Sequence, residues 1–364
     1  MSARLAGARV LLVGGFPPPH GGISVHVQAL RDELRSRGAF VHVLDVGRHK
    51  AASSELNILP IRGPWALAAQ LARHAASGWL IHVHVNGHNT RSWMVALAGA
   101  LSRRPLGPAP MLTVHSGLLP TWLAQGPAHQ RLARRVASAY GWVVAVSPIV
   151  ARALVEAGVA PGRVVVAPAA TGPVVPGEPP LQFEEARATF QPLLACAAAA
   201  SPIYGLRVLL PALRLLTLRR PSTGAVLFGS LCAAHVEAAA VEHGLAHRVR
   251  FLGELDHGAA LAVIAGADVF VRPTLADGDA LSVREAVALG RPVVASAVGH
   301  RPDGVTLFRP GDAAELALRV EEALARPAPN PSPEQGFEAV FSAYEALWAG
   351  RRAGSGGREV RLGA

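Results

Sequence analysis

Apolar runs and helical periodicities alternate along most of the chain. Residues 8–13 read as a buried strand and 14–22 as a glycine–proline loop. Ile23, Val27, Leu30 and Leu34 then recur at helical spacing up to Gly38, and a second strand is predicted at 40–46. Strand, glycine loop, helix and strand open a parallel α/β sheet. Further strands are predicted at 79–85, 111–114, 142–146 and 163–167, with helical segments between them. Prolines and glycines break the pattern from Ala167 to Pro192, apart from a helical turn near 184–189, and this stretch reads as a link between domains. The alternation then restarts. Strands are predicted at 193–199, 225–229, 249–253, 268–272 and 292–296, and helices at 205–219, where Pro211 can introduce a kink, 259–265 and 282–289. A last long helix at 333–349 follows a proline-rich spacer. The predicted architecture is α/β: two Rossmann-like, doubly wound domains, residues 1–170 and 193–330, facing a central cleft. The link is 171–192, the helix at 331–350 packs back on the body, and the basic tail 351–364 is expected to be disordered. Ligands of such sheets sit beyond the carboxyl ends of the strands, so the loops there are the places to search.

Length agrees with two domains, because 364 residues exceed what one core usually organises. With 51% hydrophobic and 16% charged residues, a disordered chain or a long coiled coil is excluded. The mean hydropathy of +0.30 owes much to alanine. No stretch of the ~18 unbroken apolar residues that a membrane span requires is present, and the run 10–13 is too short for a signal-peptide core. The expectation is a cytoplasmic protein, at most peripheral at the inner face of the plasma membrane. The 35 basic and 25 acidic residues give a net charge of +10, and Lys50 is the only lysine. An arginine-rich excess suits phosphate binding, so nucleic acid, an anionic membrane face and phosphorylated small molecules are all admissible partners. Cys196 and Cys232 stand far apart with no ligand spacing and read as buried thiols.

The richest stretch runs from Val269 to Ala286. A strand ends near Arg272, a polar loop holds Asp277, Gly278 and Asp279, and a helix begins near Ser282. Exposed amides of such a loop and helix start can bind phosphate or sugar oxygens. Asp277 and Glu285, eight positions apart, can point into the same cleft. Two plainer readings compete: Ser282 and Glu285 fit an S-x-x-E capping box, and Asp277 and Asp279 fit turn formers.

Together with Leu289-Gly290-Arg291-Pro292-Val293-Val294-Ala295-Ser296, this segment resembles the donor-site signature of family-four retaining glycosyltransferases with the GT-B fold. Gly14-Gly15 and Pro19-His20-Gly21-Gly22 resemble that family's first glycine loop, Thr113-Val114-His115-Ser116 its strand-end histidine motif, and Ala145-Val146-Ser147 the strand before its linker. Asp268 and Pro273 also fit. The resemblance covers nearly the whole chain. It implies a sugar transfer from a nucleotide-diphosphate donor to a saccharide or lipid-linked acceptor, with retention, in cell-surface polysaccharide synthesis. Glu285 would hold the ribose hydroxyls and Asp277, one methylene shorter than the family's glutamate, the donor sugar's hydroxyls. The amides of Ala280 and Leu281 would face sugar or phosphate, beside Asp279 and Ser282, and Gly21 and Gly22 would let the main chain approach the diphosphate. His115 would lie at the sugar's reacting side. The resemblance implies no metal and no cofactor, and nucleic acid is not an expected partner.

The family's Arg and Lys for the leaving diphosphate are missing, since Ala199 and Tyr204 stand at those places. Arg272, Arg284 or Arg207 are the candidates to supply that charge. His82 and His84 share one strand face at a spacing a metal can use, but no Cys, Asp or Glu nearby completes a set. The end of this strand resembles an acceptor-side loop of the family, where Asn86, His88 and Arg91 would contact a sugar or phosphate; a structural strand cap is the competing reading. The basic segment from Arg131 to Val136 could rest on an anionic membrane face or be an ordinary solvated helix face. A dinucleotide oxidoreductase is disfavoured because the first loop is no compact G-x-G-x-x-G. A sugar-nucleotide epimerase of the same fold and a non-catalytic sugar-nucleotide binder remain open at this level.

Overall fold

A computed structural model describes residues 5–47, 57–104, 107–170, 172–327, 330 and 336–356, with 348–356 described by backbone alone. The chain divides into two compact units, Met1–Gly172 with Gly336–Ala364, and Pro173–Gln335.

In the first unit β1 (Arg9–Gly14), α1 (Gly22–Ser36), β2 (Phe40–Asp45), β3 (Ile58–Pro60), α2 (Pro64–Ala76), β4 (Leu80–Val85), α3 (Thr90–Leu101) and β5 (Met111–Val114) follow in order. Then come α4 (Leu119–Leu123), α5 (Pro127–Ala137), β6 (Trp142–Ala145), α6 (Pro148–Glu156) and β7 (Val164–Val166). The strands pair in parallel in the order β3-β2-β1-β4-β5-β6-β7. Helices cover both faces, which is why β4 and β5 are buried at every position, the histidines of β4 included. Leu67, Leu71, Trp93, Ala96, Val136 and Leu154 fill one face. On the other, Leu30 and Leu34 of α1 pack with Val340, Phe341 and Tyr344 of α13 (Glu338–Gly356). The last helix therefore belongs to the core of the first unit. It runs on to Gly356, where a disordered tail was expected from 351; residues 357–364 lie outside the described part.

The second unit begins with α7 (Leu181–Thr189), inside the segment expected to be a link. Its Phe183 and Ala186 are buried with Phe190 against Val226 and Phe270, so hydrophobic burial extends the helical turn expected near 184–189 to a nine-residue helix. After it come β8 (Leu193–Ala197), α8 (Leu206–Arg219), β9 (Gly224–Phe228), α9 (Ala233–Glu242), β10 (Val249–Phe251) and α10 (His257–Gly266). The unit closes with β11 (Val269–Arg272), α11 (Leu281–Ala288), β12 (Val293–Ser296), β13 (Thr306–Phe308) and α12 (Ala313–Ala325). All strands are parallel, in the order β10-β9-β8-β11-β12-β13. In each sheet the order reverses once, at β1/β4 in the first and β8/β11 in the second. Loops leaving the carboxyl ends of neighbouring strands diverge there and open a crevice. Of the two cysteines, Cys196 is buried in β8, and Cys232 is exposed, contrary to expectation, because it precedes α9 at the surface.

Candidate active site

At the β8/β11 crevice the two loops are locked together by main-chain contacts. Leu275 donates its amide to Ile203 O at 2.7 Å. Gly205, at φ 77°, turns the chain into α8 in the left-handed region, and a Cβ there would collide with the carbonyl of Pro273. Tyr204 is thereby set beside the end of β11, with the Arg272 guanidinium 5.0 Å from its ring centroid. Arg272 donates through Nη1 to Ala197 O (3.2 Å) and through Nε to Asp277 Oδ2 (3.2 Å). Asp277 also accepts from Thr274 Oγ1 (3.2 Å), from the Gly278 amide (3.1 Å) and from Arg301. Burial pushes the Asp277 carboxyl upward, but Arg272 and Arg301 outweigh it and leave the group below its ordinary value. It is an anion at neutral pH.

The helix behind this loop starts one residue earlier than expected. Ala280 is the N-cap of α11 and no side chain caps this end, so the capping box of Ser282 with Glu285 does not form. Glu285 lies in the second turn, 5% exposed, and accepts a 2.7 Å hydrogen bond from His257 Nε2 at the start of α10. Asp256, capping α10 through the Ala259 amide, fixes where His257 begins its helix. With no cap to serve, Glu285 offers a carboxylate behind uncapped amides at the helix start.

Asp279 and Arg284 have a different character. Asp279 receives Arg284 Nε on both carboxylate oxygens, at 2.9 and 2.8 Å, and its side chain is fully buried. This internal ion pair braces the loop against α11. The expected direct donor contacts of these two side chains are therefore corrected: burial and mutual pairing hold them inside the unit. Arg207, the third candidate cation, is exposed on the first turn of α8. Arg272 alone of the three reaches the loop of Ala199 and Tyr204. Arg301 joins it without any local sequence signal, carried in by the segment after β12 and held through Nε by Ser296 O at 3.2 Å.

In the first unit the β1/β4 crevice gathers histidines. His84 on β4, His115 just beyond β5 and His26 on α1 each place one ring nitrogen within 4.8 Å of the others. His84 Nδ1 lies 3.2 Å from His115 Nε2, and His84 Nε2 is buried without a hydrogen-bond partner. Burial pushes His26 down to about 4, against the contact with Ala170 O, and holds His84 and His115 well below the ordinary histidine value, with the neighbouring rings adding to the effect. These rings are neutral at pH 7, so His115 offers a hydrogen bond and not a positive charge. A transition-metal ion is the species this trio could hold. His82 cannot join it, since Tyr344 OH (2.5 Å) and Thr113 Oγ1 (2.7 Å) take both its nitrogens.

Gly21 and Gly22 lie exposed where α1 begins, and a Cβ on Gly22 would meet nothing within 4 Å. The room they leave is not filled by the protein. Of the residues expected to face an acceptor, Asn86 is engaged in its own turn, accepting from the His88 amide (3.1 Å) and Asn89 Nδ2 (3.1 Å). His88 Nδ1 lies 2.8 Å from Ser116 Oγ, and Arg91 is exposed on the first turn of α3. The cap of that helix is Asn89, through the Ser92 amide at 2.9 Å.

Residues 20–171 match the family described as Glycosyltransferase Family 4, and residues 191–326 the one described as Glycosyl transferases group 1. By family, the chain is a glycosyltransferase. Part of this glycosyltransferase is similar to the 2-deoxystreptamine glucosyltransferase of Streptomyces kanamyceticus, 38% identical over 102 residues. That match covers 26% of this chain and 26% of the relative, about a quarter of its length. The fold is GT-B, shared with two solved structures. One is the sucrose-phosphate synthase of Thermosynechococcus elongatus (TM-score 0.69, 22% identity, 96% of this chain and 98% of that one). The other is Anabaena HepE in complex with UDP-glucose (TM-score 0.67, 19% identity, 96% of this chain and 94% of that one). Among the described residues of the glycosyltransferase, no helix is long and apolar enough to cross a membrane.

Proposed function

We propose that the protein transfers a sugar from a nucleoside-diphosphate donor, of the uridine type, to a saccharide or lipid-linked acceptor, with retention and without a metal. The observation that carries the reading is the β11–α11 loop at the β8/β11 crevice, where Glu285 has no capping role and Asp277 and Arg272 stand together. A carboxylate can accept both vicinal hydroxyls of a ribose, as Glu285 would. Departure of the diphosphate from an oxocarbenium-like sugar leaves charge that Arg272, buried beside Tyr204, can stabilise. Support for a uridine donor comes from HepE, whose solved complexes hold UDP, UDP-glucose, and UDP with glucose. His115, neutral, would hydrogen-bond the sugar or its acceptor.

Calorimetric titration with UDP tests the donor site. Glu285→Gln keeps size and helix propensity, and no cap is at stake, so the variant is expected to melt like the wild type and to bind UDP at least about tenfold more weakly, the scale of losing a charged hydrogen-bond acceptor. Equal affinity would sink the donor-site reading. With UDP-glucose as donor, proton NMR of the product reads the anomeric configuration, and an inverted product would sink retention.

A further inference from the structure

One oxygen of Asp277 is crowded and the other is not. Oδ2 accepts from Arg272 Nε at 3.2 Å, from Thr274 Oγ1 at 3.2 Å, and from Nη1 and Nη2 of Arg301 at 3.4 Å each. Oδ1 accepts only from the amide of Gly278, at 3.1 Å. The three charged side chains are almost entirely withdrawn from water, with exposures of 11% for Arg272, 5% for Arg301 and 13% for Asp277. Arg272, Arg301 and Arg284 thus meet two carboxylates, those of Asp277 and Asp279, the latter paired with Arg284 and also attracting Arg301, and the cluster keeps a net positive charge in a low-dielectric surrounding. That arrangement is costly unless a further anion binds there.

Both arginines are aimed by fixed main-chain acceptors rather than by Asp277 alone. Arg272 is held by Ala197 O and Arg301 by Ser296 O, with Thr274 Oγ1 accepting from Arg301 Nη2 at 3.2 Å. Removing the carboxylate from between them would leave the guanidinium groups in place. The Arg272 group lies over Tyr204, in the loop where the resemblance leads one to expect the cations for the leaving group. Carboxylate and phosphate oxygens are interchangeable partners for a guanidinium fork, and a diphosphate offers more of them.

We propose that Arg272 and Arg301 together are the diphosphate-binding pair, and that Asp277 Oδ2 holds the place of a phosphate oxygen between them until the diphosphate displaces it. The exchange breaks no covalent bond. Asp277 keeps the Gly278 amide on Oδ1, while Oδ2 gives up Arg272, Arg301 and the Thr274 hydroxyl and is released toward the donor's sugar hydroxyls. It therefore competes with the diphosphate first and serves the sugar afterwards. The inference rests on the donor-site reading, but it makes a separate claim about a bare diphosphate.

The test titrates inorganic pyrophosphate and, separately, UDP into the wild type, Asp277→Asn, Arg301→Gln and the double variant, with melting temperatures recorded for each. Asp277→Asn is expected to tighten pyrophosphate by roughly fivefold or more, because a neutral amide competes poorly for two guanidinium groups, while sugar transfer falls. Arg301→Gln, which leaves Arg272 and Arg284 to Asp277 and Asp279 and so a balanced charge, is expected to weaken pyrophosphate by about tenfold. The gain from Asp277→Asn should shrink in the Arg301→Gln background. Pyrophosphate affinity that is unchanged or weaker in Asp277→Asn, or unchanged in Arg301→Gln, overturns the inference whatever UDP does. Should Asp277→Asn fail to fold, Arg301→Gln decides alone. Pyrophosphate behaving as expected while UDP is indifferent to Glu285→Gln would leave the arginine pair standing and remove the nucleotide reading.

Discussion

Two arginines flanking one loop, Arg272 at the end of β11 and Arg284 in α11, are alike in the sequence and opposite in use. Arg272 faces Tyr204 and shares Asp277 with Arg301, so Asp277 keeps partners when Arg272 is removed. Arg272→Ala is expected to lower turnover by more than about tenfold, the scale of one lost transition-state charge contact, with a modest change in stability. Arg284 is spent on Asp279, whose side chain is wholly buried. Breaking such a pair strands one charge in the interior, so Asp279→Asn is expected to cost about 3 kcal/mol of stability, read from the urea midpoint, while turnover per folded molecule stays near wild type. If turnover of folded Asp279→Asn falls as far as that of Arg272→Ala, the division of labour between the two arginines is wrong.

At the scale of elements, long periodic segments were legible, short ones only in part, and non-local features were not. β5 and the helix of Val27, Leu30 and Leu34 follow from their apolar spacing, and β7 and β10 lie in predicted strands although only three residues long, whereas β3 and β13, equally short, lie outside the predicted strands. The capping box of Ser282 and Glu285 is a local pattern that the tertiary structure overrides: α11 starts at Leu281, and His257 takes the glutamate. Asp277 and Glu285 carry a spacing and could be found, but Arg301 meets Asp277 across 24 positions and His26 meets His84 from another element, with no shared motif. α5 shows how burial narrows a sequence reading. Ala133, Val136 and Ala137 face the core, and Arg131, Arg134 and Arg135 remain exposed. A helix whose apolar side is already used can meet an anionic bilayer only through charge. Binding to vesicles containing phosphatidylserine is therefore expected at low salt and expected to vanish near 0.5 M, where the Debye length is only about 4 Å. Sedimentation with vesicles that persists at high salt, or is absent at low salt, rejects this account of α5.

For the whole molecule, the two units should respond differently to acid, and their composition allows one to be watched separately. All six tryptophans lie outside residues 173–335, so intrinsic tryptophan fluorescence reports the first unit. That unit holds four histidines as neutral rings: His26, His82 and His84 are buried, and His115 is partly so. For His26 the folded value is about 4 and the ordinary one 6.5. Between those values the unfolded chain binds a proton that the folded chain refuses, so stability is complete above about 6.5 and falls as the pH drops toward 4. His26 alone contributes a loss of about 3 kcal/mol over that window, and the other three act in the same direction. In the second unit Asp277 is depressed, so its contribution persists until the pH falls through its lowered value, below the ordinary 3.8. Denaturant unfolding followed by tryptophan fluorescence should therefore weaken markedly from pH 7.5 to pH 5, and His26→Gln should flatten that dependence. A midpoint that does not move between those two pH values would mean that the folded chain takes up the same protons as the unfolded one, and would remove the neutral-ring account of His115 along with it.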